Sequence, residues 1–102
     1  MGTNNTSNLI AKLSIYGFKK TEDIIGEYSK NADLYFRKIA NQRYIVFNHF
    51  NKKRKEDLQG LDCWISTYKS ENEIGKSKAI QIDDVRLGFQ MERDWNLIAH
   101  YL

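Results

Sequence analysis

The chain contains no proline, a single cysteine and only two histidines among its 102 residues. One cysteine, Cys63, excludes an internal disulfide and favours a reducing compartment. Cys63, His49 and His100 are too few, and too irregularly spaced, for a closed zinc site, which takes four ligands at short paired spacings. No metal or cofactor is expected. Long apolar runs are also missing: none approaches the roughly 20 residues that span a bilayer. The polar stretch Met1 to Asn8 has no basic region leading into an apolar one, so no signal peptide is read. Cytoplasmic residence without membrane association is the expectation.

What remains is ordinary globular material, with 41% hydrophobic and 28% charged residues. A chain of this length suits one domain. Residues 1–7 read as a flexible end and residues 8–102 as a single domain. Charge is unevenly spread. Residues 1–55 hold eleven Lys/Arg against four Asp/Glu, while residues 56–102 hold five against nine. That polarity can steer a charged partner if the two halves form different faces.

Leu9, Leu13 and Tyr16, with Ile10 beside them, recur at helical spacing and predict a helix over Asn8–Tyr16. Thr6 or Ser7 supplies the N-cap. Gly17 followed by Phe18 fits a C-terminal stop, glycine taking the left-handed conformation and phenylalanine folding back on the last turn. Residues 22–50 read as sheet. Asp33–Ala40 and Arg43–Phe50 are rich in aromatic and β-branched residues, with Ala40-Asn41-Gln42 as the turn between them. Both faces of this hairpin carry apolar residues. Ile24–Ser29 is read as a preceding strand, with a short helix capped by Thr21 as the alternative. Leu61–Tyr68 resumes sheet character, with Leu61, Cys63, Ile65 and Thr67 on one face and Trp64 and Tyr68 on the other. Ser70–Ser77 is a polar loop, and Ala79–Ile82 a short strand.

Leu87, Met91, Trp95, Ile98 and Leu102 fall within an arc of about 80° on a helical wheel. They predict a C-terminal helix capped by Asp83 or Asp84. A competing alternation runs through Val85, Leu87, Phe89 and Met91, and Gly88 interrupts the pattern, so the helix start can fall as late as Met91. The resulting fold class is α+β: an N-terminal helix, an antiparallel β-meander of three to five strands and a C-terminal helix.

The search for chemistry is mostly exclusion. Gly75-Lys76-Ser77 resembles the end of a phosphate-binding P-loop, but Ser70 stands where its first glycine belongs, and Glu71 and Glu73 lie where phosphates would sit. Cys63 and His49 on neighbouring strands are conceivable as a nucleophile pair, with Asp62 pointing away from both. The paired carboxylates Glu22-Asp23, Glu56-Asp57 and Asp83-Asp84 are explained by caps and solvated loops. No enzyme is expected.

Two recognition readings follow. The favoured one is a small non-enzymatic protein-binding module, accessory or inhibitory, engaging a protein partner or forming a homo-oligomer. Its candidate contact aromatics are Trp64, Tyr68 and Tyr101, since Tyr and Trp concentrate at interfaces. The abundance of Lys, Asn and Ile is similar in general flavour to small accessory proteins of low-GC bacteria, their phages and mobile elements. The alternative is a nucleic-acid-binding protein. Its candidate contacts are the basic loop Lys52, Lys53, Arg54 and Lys55, the pair Lys19 and Lys20, read as a loop, and the sheet residues Arg43 and Tyr44. Basic groups there would neutralise phosphates and aromatics would stack on bases.

Overall fold

The computed structural model of the protein describes residues 5–49, 61–89, 94–97 and 99–101. It opens with helix α1 (Asn5–Ile15), which buries Leu9 and Leu13, one turn apart, while Ile10 packs alongside. The helix begins before the expected cap, so Thr6 and Ser7 lie in its first turn. Its end matches the sequence closely. Gly17 takes φ +84° and donates to the Ser14 carbonyl at 3.1 Å, and Phe18 donates to the Leu13 carbonyl at 3.0 Å. These are the two bonds of a Schellman motif. The accompanying apolar contact is present too, since Phe18 and Leu13 share one buried cluster.

Five strands follow: β1 (Lys19–Glu22), β2 (Asp33–Ala40), β3 (Arg43–His49), β4 (Leu61–Thr67) and β5 (Gln81–Phe89). They form one antiparallel sheet in sequential order, β1-β2-β3-β4-β5, so the meander is observed and has five strands. The β2–β3 hairpin turns at Asn41-Gln42, with Gln42 at φ +62° and a register shift between Lys38 and Ala40. Side chains alternate as the pattern requires. Tyr35, Ile45, Phe47, Leu61, Cys63 and Ile65 face α1; Leu34, Phe36, Tyr44 and Val46 face the other way.

Both faces are covered. On the second face the lid is irregular chain: Tyr28 from the segment between β1 and β2, and Tyr68, Ile74 and Ala79 from the segment between β4 and β5. These two segments lock together through backbone. Gly75, at φ +84°, accepts from the Ile24 amide at 2.8 Å and lies directly against the Glu22 carbonyl. The Gly75-Lys76-Ser77 tripeptide is therefore a turn docked on β1, and Ser77 bonds the Glu73 carboxylate beside it.

Three expectations are corrected. Residues 24–29 form neither strand nor helix. They make a compact loop, and the strand pairing with β2 is Lys19–Glu22, which places Lys19 and Lys20 on a strand and not in a loop. Over residues 83–89 the expected C-terminal helix is replaced by β5, whose first residues, Gln81 and Ile82, fall in the expected strand Ala79–Ile82. Beyond β5 the described residues form short 3-10 turns at Trp95–Leu97 and Ala99–Tyr101. Met91, Ile98 and Leu102 lie outside the described residues. The physical reason is visible in the register. Leu61, Cys63 and Ile65, two apart on β4, oppose Phe89, Arg86 and Asp83, three apart on β5. Two bulges stretch the repeat of β5 from two residues towards three. A repeat near three imitates helical periodicity, and the open ladder of β4 decides for strand. Among the described residues no helix is long and apolar enough to cross a membrane.

Two glycines share one backbone conformation and differ in their surroundings, which separates two costs. At Gly17 an added methyl meets nothing within 4 Å, whereas at Gly75 it overlaps the Glu22 carbonyl oxygen. Gly17→Ala is expected to cost about 1 kcal/mol from the left-handed backbone alone. Gly75→Ala should cost roughly 3 kcal/mol or more, because the loop must leave β1. Urea unfolding of the two variants measures the difference.

Candidate functional site

The second face of the sheet is organised by one carboxylate. Asp23 follows β1 and is fully buried. Its Oδ1 accepts from the amides of Gly26 and Glu27 at 3.1 and 3.0 Å; its Oδ2 accepts from Tyr28 and Ser29 at 2.6 and 3.0 Å. A chain that folds four consecutive amides onto one side chain cannot also lie in a ladder, which is why 24–29 is not a strand. Gly26 permits the bend with φ +75°, and Asn31, at φ +63°, closes the turn into β2.

The loop then presents Glu27 and Tyr28 to the sheet. The Tyr28 hydroxyl bonds Ser66 Oγ on β4 at 2.6 Å, and Tyr68 donates to Tyr28 at 3.1 Å. Tyr68 also contacts Glu27 Oε1, while Glu27 Oε2 accepts from the Ala79 amide. The Tyr28 ring lies against Trp64, centroids 4.5 Å apart. Burial raises the Tyr28 hydroxyl to about 12 and also raises that of Tyr68, where the Glu27 carboxylate adds to the effect. Both phenols stay neutral near neutral pH and serve as hydrogen-bonding struts.

Beyond Tyr28 and Trp64, large aliphatic side chains at the start of the last strand are exposed. Ile80, Ile82 and Val85 are 66%, 41% and 50% exposed. Register places Ile82 opposite Ser66, and Val85 precedes the partner of Cys63, so both share the Trp64 side of the sheet. Ile24 and Ile25, on the outside of the Asp23 loop, are also exposed. Asp84 lies between Ile82 and Val85 in the chain, exposed, at φ +45° and without an ion pair among the described residues.

The residues singled out from sequence are scattered. Trp64 is half-buried under Tyr28 at the border of the bare row. Tyr68 is fully buried within the network, so it offers no contact surface. Tyr101 packs with Trp95 against the α1 side of the core. Tyr44 is buried on the second face, leaving its ring no open side for a base; burial, with Glu71 nearby, raises its hydroxyl. Lys19 pairs with Glu71 at 2.9 Å, Lys20 with Asp33 at 3.7 Å and Arg43 with Asp83 at 3.7 Å. Lys19 and Lys20 alternate onto opposite faces, opposite Phe36 and Tyr35. Lys52, Lys53, Arg54 and Lys55 lie outside the described residues. Cys63 is buried in the α1-side core. Among the described residues no cluster of three His, Cys, Asp or Glu side chains is placed to hold a metal ion.

Sequence reasoning missed Asp23, Glu27 and Tyr28. The available signal was Asp23 followed three residues later by Gly26, a pattern of a side chain capping its own loop. The chain matches no protein-family model, no curated protein and no solved structure.

Asp23→Asn is expected to destabilise the fold by about 2–4 kcal/mol, since one acceptor atom becomes a donor aimed at amides. Urea unfolding at neutral pH checks this. The tyrosines set a second expectation. The folded state holds both phenolic protons more tightly than the unfolded chain, whose tyrosines titrate near pH 10. That stabilisation is complete below pH 10 and is lost as pH rises through the folded values, about 12 for Tyr28. The urea midpoint should therefore fall between pH 10 and 12, less steeply in Tyr28→Phe.

Proposed function

We propose that this domain is a non-catalytic protein-binding module whose contact surface is the bare side of β5. The observation that carries the reading is three exposed large aliphatic side chains close in the chain, Ile80 just before β5 and Ile82 and Val85 on its Trp64 side. Single exposed apolar residues are common; a row on the side of one strand, next to a half-buried tryptophan, is the usual mark of a contact surface.

The contact is with the side of β5 and not with its hydrogen-bonding edge. β5 ends the sheet, but its two bulges interrupt the even spacing of free amides and carbonyls that an added strand requires. The partner is a different protein, with an apolar strip flanked by Lys or Arg. Charge supplies this argument. Asp84 stands within the row with no ion pair among the described residues, and the surrounding half of the sequence is acidic. A two-fold contact between copies lays the same patch on itself and brings two copies of the Asp84 carboxylate into one contact with no cation in the row to offset them. No observation among the described residues favours the nucleic-acid alternative. Lys19, Lys20 and Arg43 each face a carboxylate, and Tyr44 is buried.

Site-specific photo-crosslinking in the native host tests the reading. A photoreactive residue at Ile82 should give one discrete adduct with another protein, and the same residue at Lys30 should give none. Asp84→Lys should weaken that adduct about tenfold while the protein sediments as a monomer. A homodimer adduct, or an adduct indifferent to Asp84→Lys, would overturn it.

A further inference from the structure

A second concave surface lies at the β2–β3 turn and uses none of the residues of the proposed protein contact. The turn and the segment 69–72 enclose a cleft of about 360 Å³, the size of small-ligand sites. Lys38 and Lys69 line it, and neither makes an ion pair among the described residues. Asn41, Gln42 and Asn72 line it with carboxamides, and the largely buried Tyr44 forms part of its wall. Next to it a smaller cleft of about 180 Å³ shares Lys38 and Glu71 and adds Lys19 and Arg37.

Two ammonium groups thus line one concavity without an ion pair among the described residues. The one carboxylate in the wall, Glu71, is already held by Lys19 at 2.9 Å, which offsets its repulsion of an anion. Four cationic side chains thus surround one carboxylate across the two adjoining clefts. Ammonium and carboxamide groups together match a phosphate: point charges for its oxygens and directional donors for orientation.

We infer that this cleft binds a small phosphate ester, of mononucleotide size, with its phosphate between Lys38 and Lys69. A continuous phosphodiester strand fits less well, because the wall carries the Glu71 carboxylate.

Titration of the isotope-labelled protein with pyrophosphate and with adenosine monophosphate, followed by amide NMR at constant ionic strength, tests this. Saturable shifts are expected at Lys38, Gln42, Lys69 and Asn72. Lys38→Ser combined with Lys69→Ser should weaken binding about tenfold or more, with an unchanged melting temperature, since both residues are exposed. Glu71→Gln should tighten it several-fold by removing the like charge. Three results would overturn the inference: shifts spread equally to Lys20 and Lys30, a double variant that titrates like the parent, or a single-stranded oligonucleotide that saturates the same amides while adenosine monophosphate does not.

Discussion

The interaction on which the architecture depends is the gathering of four backbone amides by the buried Asp23 carboxylate. A five-stranded sheet with apolar residues on both faces needs two covers, and one helix provides only one. The second cover has to come from irregular chain, which carries backbone donors that burial would leave unsatisfied. Asp23 resolves this conflict by supplying acceptors from inside the loop. Charge-assisted bonds of this kind are stronger than neutral ones, so a short loop can hold a defined shape over an apolar surface.

Everything on that face follows in order. A rigid 23–29 loop fixes Glu27 and Tyr28; those two reach Ser66, Tyr68 and the Ala79 amide. Tyr28 and Tyr68 bring apolar rings with polar tips, so they fill the space above Val46 and Ile74 and still satisfy their hydroxyls. Gly75 closes the arrangement from the other side, its carbonyl receiving the Ile24 amide. The two covering segments support each other, and neither has regular secondary structure beyond a single 3-10 turn.

How much of this was legible in the sequence divides along physical lines. Local signals read well. The Gly17-Phe18 stop, the Asp33–Ala40 and Arg43–His49 hairpin and the alternation of β4 each depend on residues close in the chain, and each is found as expected. Non-local signals read poorly. Tyr44 and Tyr68 looked available because alternation shows which face a residue takes but not what covers that face. Lys19–Glu22 carries no strand propensity and becomes a strand only because β2 has an edge to pair with. In β5 the bulges changed the repeat itself, so the period pointed to the wrong element. Of the surface proposed for protein contact, the sequence marks only Trp64 as a contact residue; Ile80 and Ile82 fall in the expected strand Ala79–Ile82, and Val85 in the expected helix.

The exposure of that row is a consequence of how far the second cover reaches. The Asp23 loop extends across the sheet to β4, where Tyr28 meets Ser66 and Trp64, and α1 serves only the opposite face. β5 lies one strand further out. A strand in that position can be made safe by polar side chains, by a covering segment or by bulges along its edge. Here the edge is interrupted twice, while the side chains at 80, 82 and 85 remain aliphatic. Protection against indiscriminate strand pairing and retention of an apolar face are opposite choices for solubility. Their coexistence on one strand is what a surface needs if it is to meet a shaped partner through side chains while refusing extension through its backbone.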